Sequence, residues 1–189
     1  MTEFIHSKSL DKRSLFIYAL VVGIVLLDQI TKIIIKTYMS LDGNSIPIIG
    51  NFLRLTYIEN AGMAFGIQMQ NRILFTLLSI AATVIVSIYL IRLTKERFLF
   101  RVSLALILGG AIGNLIDRLL RGRVVDFIDV EFFDISIQQF KLWFIHFHGY
   151  SLTRWPVFNI ADSAVTCGLI LLTLILIFQR DPLKQEVSA

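Results

Sequence analysis

Four apolar stretches, at about 15–35, 73–91, 98–119 and 157–178, dominate the chain, and each is close to the ~20 residues a helix needs to cross the hydrocarbon core of a bilayer. Few folds suit such stretches, because backbone polar groups in lipid must find their partners within the helix itself. The chain therefore reads as an all-α membrane protein with four transmembrane helices. Its 56% hydrophobic and 17% charged residues, with a mean hydropathy of +0.73, lie outside the balance of a soluble globular domain. Residues 1–189 form a single integral membrane domain, with no room left for a separate soluble one.

The net charge of +4 does not point to nucleic acid, since the basic residues sit in short groups beside the apolar stretches, as flanking membrane charges do. The single cysteine, Cys167, lies inside the fourth stretch; an intramolecular disulfide and a cysteine metal cage are both excluded, and it is expected to be a small buried helix-packing residue. Lys8, Lys12 and Arg13 before Leu15–Leu27 resemble a signal peptide. The stretch runs on, however, into Asp28-Gln29-Ile30-Thr31-Lys32 with no small-residue cleavage site, so it is expected to be a retained helix.

Four helices leave outer segments at about 36–72 and 121–155 and put both termini on one side. Arg92, Lys95, Arg97 and Arg101 crowd the short turn on that side, with Lys8, Lys12, Arg13, Arg180 and Lys184 in the tails. By the positive-inside rule that side is cytoplasmic. In the first outer segment Gly43, Pro47 and Gly50 punctuate the chain, and Leu53, Leu55 and Tyr57 alternate with Arg54, Thr56 and Ile58. The alternation predicts a small periplasmic β-like interfacial element. The second segment carries Phe132, Phe133, Phe140, Trp143, Phe144, Phe147, Tyr150 and Trp155. These aromatics suit the headgroup layer, and the segment is expected to be an extended periplasmic loop covering a site.

Ionisable residues inside membrane helices are costly and call for a function or a partner. Asp28 and Lys32 lie toward the end of the first helix, Asn60 before the second, Asn114, Asp117 and Arg118 near the end of the third, and Asn159 and Asp162 near the start of the fourth. Successive helices alternate direction, so all of these positions share one membrane face. Asp28 with Lys32 and Asn114 with Arg118 are i,i+4 pairs; the first reads equally well as a local ion pair. Gly109, Gly110 and Gly113 are expected to let helices pack closely.

Asp126, in Val124-Val125-Asp126-Phe127, and Asp162, in Phe158-Asn159-Ile160-Ala161-Asp162-Ser163, could form a carboxylate pair in which one member keeps a proton, giving a base and an acid. Spacing alone leaves Asp129 as a rival to Asp126. Ser163 has no histidine in these motifs, which argues against a Ser-His-Asp arrangement. His146 and His148 could bind a metal from one strand face, although a plain interfacial role is the commoner outcome.

In order, Asp28-Gln29-Ile30-Thr31-Lys32, Glu59-Asn60-Ala61-Gly62-Met63-Ala64-Phe65-Gly66, Gly109-Gly110-Ala111-Ile112-Gly113-Asn114-Leu115-Ile116-Asp117-Arg118 and the two aspartate motifs resemble the motif set of the lipoprotein signal peptidases, signal peptidase II. The resemblance implies an aspartic endopeptidase of the bacterial inner membrane, with no cofactor and no metal. It would cut diacylglyceryl-modified prolipoproteins before the lipidated cysteine, at the outer face. It implies Asp126 and Asp162 as the catalytic pair, with Asp28, Lys32, Asn60, Gly62, Asn114, Arg118, Asn159 and Ala161 in supporting or substrate-binding positions. The implied partners are the prolipoprotein substrates and membrane lipids, without nucleic acid or a required oligomer. One departure is the stretch from Asp129 to Trp155, which is longer than the family usually shows. The rival class is a small proton-coupled transporter using intramembrane aspartates, although such sites usually lie at the midplane between repeats.

Overall fold

The computed structural model describes residues 11–41, 43–61, 72–93, 97–137, 140–142, 145–147 and 150–178. Among the described residues there are four helices: α1 (Lys12–Tyr38), α2 (Arg72–Arg92), α3 (Phe98–Arg121) and α4 (Ile160–Phe178). All four are long and apolar enough to span a bilayer, as the apolar stretches predict. Between them lie strands β1 (Ile46–Ile49), β2 (Leu53–Asn60), β3 (Val124–Ile137), β4 (Phe140–Leu142), β5 (Ile145–Phe147) and β6 (Tyr150–Arg154). The chain divides into two compact units.

The first unit holds α1 up to Asp28, α2 from Leu77, α3 up to Leu115, and α4. Ile17 and Val21 of α1, Leu90 of α2, and Leu104, Ala105 and Leu108 of α3 form its buried core. Around them Leu26, Val84, Ile85, Leu169 and Leu176 are exposed, and so is Cys167, which stands on the outer side of α4 and not in the buried packing position expected of it. An apolar exterior of this kind would carry a penalty of about 25 cal/mol per Å² in water, and it is the surface of a protein solvated by lipid. Small residues set the closest approaches. A Cβ at Gly110 would collide with the Ala161 carbonyl oxygen, and one at Gly168 would stand 2.8 Å from the Ser103 carbonyl oxygen. Because backbone cannot yield as a side chain can, only glycine lets α3 and α4 meet here.

The second unit holds residues 29–76 and 116–159, with an antiparallel sheet in the order β1-β2-β3-β6. The predicted strand at 53–58 is β2, its buried Tyr57 facing in. Gly122 ends α3 with φ at +71° while its N–H bonds the Arg118 carbonyl at 3.1 Å. This left-handed cap turns the chain into β3, whose Val124, Val125 and Phe127 are buried. β2 and β3 run antiparallel with Asn60 opposite Val124 and Ile58 opposite Asp126, and a bulge lies between Leu55 and Ile58.

Boundaries differ from the sequence reading, α1 reaching three residues further than 15–35 at each end. The segment expected as an extended loop is largely strand: β3 continues to Ile137, β6 returns antiparallel beside it from Tyr150 to Arg154, and β4 and β5 pair between them. Its β-branched and aromatic residues favour such pairing. The fourth helix begins at Ile160 and not at Val157, because Phe158 is engaged in a bridge: its N–H donates to the Ile128 carbonyl at 3.0 Å and its carbonyl accepts from Ile128 N–H at 2.7 Å.

Candidate active site

In the second unit Asp126 sits on β3 and is 1% exposed. The Asn60 amide at the end of β2 donates to its Oδ2 at 3.0 Å, and the Asn159 amide donates to its Oδ1 at 2.6 Å and to the Val125 carbonyl at 3.2 Å. Both carboxylate oxygens are thus fixed by neutral amides. β-pairing positions the first amide, and the Phe158 bridge positions the second.

Asp129, the sequence rival, is held differently. Arg154 Nε donates to its Oδ1 at 2.6 Å, and the Thr56 hydroxyl donates to its Oδ2 at 2.7 Å. The same guanidinium reaches Glu131 at 3.3 Å and the Asn51 carbonyl at 3.1 Å. This aspartate joins strands.

Asp117, fully buried, is a third centre. Lys32 Nζ, also fully buried, lies 2.8 Å from its Oδ2; Arg121, one turn on, bonds its Oδ1, and the Gln29 amide approaches Oδ1 at 3.4 Å. Val125 N–H, adjacent to Asp126 in the chain, points to Oδ2 at 3.3 Å. Sequence reasoning placed Asp117 among the membrane-face polar residues but gave it no site role. The signals that could have found it are its i,i+4 spacing to Arg121 and the need of a buried lysine for a counter-charge. A more exposed cluster completes the unit: Glu59 Oε1 accepts from Tyr57 Oη at 2.8 Å and from Lys36 Nζ at 3.1 Å. These two hydrogen bonds, Tyr57 first, hold the Glu59 carboxyl below its ordinary range. Burial, with the hydrogen bond to Glu59, pushes the Tyr57 phenol up to about 12.

In the first unit Asp162 lies in the first turn of α4, half-buried, and its Oδ1 accepts from the Asn114 amide at 2.7 Å. Asp28, fully buried on α1, accepts from Ala161 N–H at 3.0 Å through Oδ1. That N–H is one of the four that an α-helix leaves unsatisfied at its start, so α1 supplies the cap that seats the turn carrying Asp162. A carboxylate there also complements the positive end of the helix dipole. Gly113 makes room for it, as a Cβ would stand 2.6 Å from Asp28 Oδ2. Ala161 is fully buried, and what the described contacts use is its backbone. Arg118 is half-buried on α3. Gly62, Met63, Ala64, Phe65 and Gly66 of that motif lie outside the described residues, as does His148; His146 stands on β5 opposite Lys141.

Four membrane-spanning helices and carboxylates fixed by asparagine amides define a multi-pass membrane protein equipped for acid–base chemistry. The family model for signal peptidase (SPase) II matches residues 20–178, and the chain belongs to that family of peptidases. A lipoprotein signal peptidase of Pelodictyon phaeoclathratiforme is 40% identical over 155 residues, 82% of this chain and 86% of that one. One from Caldanaerobacter subterraneus subsp. tengcongensis is 41% identical over 160 residues, 85% and 94% of the two chains. A solved bacterial membrane enzyme, determined by the in meso method at 2.3 Å resolution, aligns with a TM-score of 0.69 and 30% identity, covering 88% of this chain and 92% of its own.

Proposed function

We propose that this peptidase removes the signal peptide from diacylglyceryl-modified prolipoproteins, cutting before the lipidated cysteine, with Asp126 and Asp162 as its acid–base pair. The observation that carries the reading is how the aspartates are held. Asp117 and Asp129 are bound to cations, and Asp28 caps a helix end. Asp126 has both oxygens located by asparagine amides, and Asp162 has one oxygen so located. An amide fixes a carboxyl group in place, and, carrying both donor and acceptor, it can serve either protonation state.

In this mechanism the ionised aspartate takes a proton from a water as that water attacks the scissile carbonyl carbon. The protonated aspartate gives its proton to the carbonyl oxygen. As the tetrahedral intermediate collapses, the C–N bond breaks and a proton passes from the pair to the departing amine. No covalent enzyme intermediate forms. Arg118 and the asparagines suit an extended peptide backbone, to which they offer donors and acceptors.

The basic residues at and beside the α2–α3 turn, Arg92, Arg97 and Arg101, favour a bacterial inner-membrane orientation with both termini cytoplasmic and the site at the outer face. A substrate that is itself a membrane segment with an acylated cysteine would reach such a site laterally from the bilayer.

The test is cleavage of a lipidated prolipoprotein by the purified full-length protein in detergent. Asp126→Asn and Asp162→Asn should each lower turnover by at least ~10²-fold without altering thermal unfolding, and a chelator should have no effect. Near-normal turnover in either variant would remove that aspartate from the pair.

A further inference from the structure

We infer that Arg101 is the core of a lipid-phosphate site at the start of α3, apart from the peptidase chemistry. Arg101 is the fourth residue of α3 and is 3% exposed. Its Nη1 donates to the Ser14 hydroxyl of α1 at 3.2 Å, while its Nε and Nη2 are buried with no hydrogen-bond partner. A guanidinium, unlike a lysine, does not escape burial by giving up its proton. Leaving it uncompensated in a dry interior is strongly unfavourable.

The two unpartnered atoms lie on one edge of the guanidinium, which presents two parallel N–H groups, the geometry that binds two oxygens of a phosphate or carboxylate. The surroundings favour an anion as well. Neither α1 nor α3 has an acidic residue within its first turn, and the positive ends of their helix dipoles lie there, that of α1 offset in part by Asp11 immediately before it. Lys12, Arg13 and Arg97 stand exposed beside these starts. The two helix starts belong together: besides the Ser14–Arg101 bond, the rings of Phe16 and Phe98 lie 5.7 Å apart.

Both helices span the membrane, so the oxyanion at hand where they begin is the phosphate of a lipid headgroup. The cluster of surrounding positive charge selects a lipid of net negative charge over a zwitterionic one. The same edge would also accept free inorganic phosphate, and the experiment separates the two sources.

Full-length protein is purified, delipidated in a neutral detergent, and followed by thermal unfolding and native mass spectrometry. Phosphatidylglycerol, phosphatidylcholine and inorganic phosphate at matched ionic strength are added separately. Phosphatidylglycerol is expected to raise the melting temperature by roughly 3 °C or more and to be retained as one bound molecule, with a much smaller effect from phosphatidylcholine. Arg101→Met should abolish both responses while melting no lower than the delipidated wild type, because it removes a buried charge and keeps most of the stem. Arg101→Lys, which cannot present two parallel donors, should lose most of the response, and Arg97→Met should keep it. A phosphatidylglycerol response that survives Arg101→Met overturns the site. So does the absence of any response in the wild type, or a large fall in the melting temperature of delipidated Arg101→Met. A response to inorganic phosphate equal to that of the lipid overturns the lipid as its source.

Discussion

Lys32 and Asp117 form an ion pair with both side chains fully buried, 2.8 Å apart, and Arg121 bonds the same carboxylate. Asp117→Asn keeps the shape of the side chain and an acceptor for Val125 N–H but takes the carboxylate away from Lys32 and Arg121. Removing one member of a buried pair costs about 3–5 kcal/mol. At about 2–4 °C per kcal/mol for a chain of this size, the melting temperature should fall by roughly 6–20 °C. Lys32→Met leaves Asp117 bonded to Arg121, with Gln29 at 3.4 Å and Val125 N–H at 3.3 Å. It should cost only about 1–3 kcal/mol, the worth of one charge-assisted bond. In the double variant neither buried charge of the pair is present, so its loss should fall short of the sum by about 1–3 kcal/mol. The assay is thermal unfolding of the full-length protein in one detergent, with all four cycle members measured at pH 7. If Asp117→Asn cost no more than Lys32→Met, or if the two losses simply added, Asp117 would not be the centre of this cluster.

Gly110→Ala should reduce the melting temperature more than Gly109→Ala, because the first Cβ meets the backbone carbonyl of Ala161 and the second meets the Ile24 side chain at 2.9 Å, which can move; overpacking of the rigid kind costs typically 1–3 kcal/mol. Glu59, whose folded pKa is lowered, contributes stability that is present above its unfolded value of about 4.5 and is lost as pH falls through the lower folded value. The contribution is under ~1 kcal/mol for so solvated a cluster, so wild type and Glu59→Gln should differ slightly at pH 7 and converge near pH 3, as paired melting curves would reveal. Asp129→Asn should lower stability through the lost Arg154 bond while cleavage of the lipidated substrate persists; loss of turnover with the melting temperature unchanged would restore Asp129 as the rival acid.

The four helices and the presence of a strand at 53–58 were legible because a bilayer enforces length and hydropathy and because alternation marks a half-buried strand. Partner choice was not legible. By spacing Asp28 and Lys32 read only as an i,i+4 pair, and the bonds of Asp28 to Ala161 N–H and of Lys32 to Asp117 depend on helix ends that are distant in the sequence. The start of α4 was missed for a related reason. Hydropathy counts Val157 and Phe158 as membrane residues, but whether their backbone is helical depends on a bridge to Ile128, a residue far away in sequence.

The choice between Asp126 and Asp129 could have been narrowed from the sequence, given β3. Successive side chains of a strand point to opposite faces, so two residues three apart cannot serve the same one. The bulge that shifts the register lies on β2, where two steps from Ile128 to Asp126 are matched by three from Leu55 to Ile58, and β3 keeps its alternation. Whichever aspartate meets Thr56 and Arg154 is therefore turned away from the asparagines that hold the other. Asp129 makes the first set of contacts and Asp126 the second. One strand thus carries two buried carboxylates held in different ways: the cation-bound one joins β3 to β2 and β6, and the amide-bound one is the aspartate proposed for proton transfer.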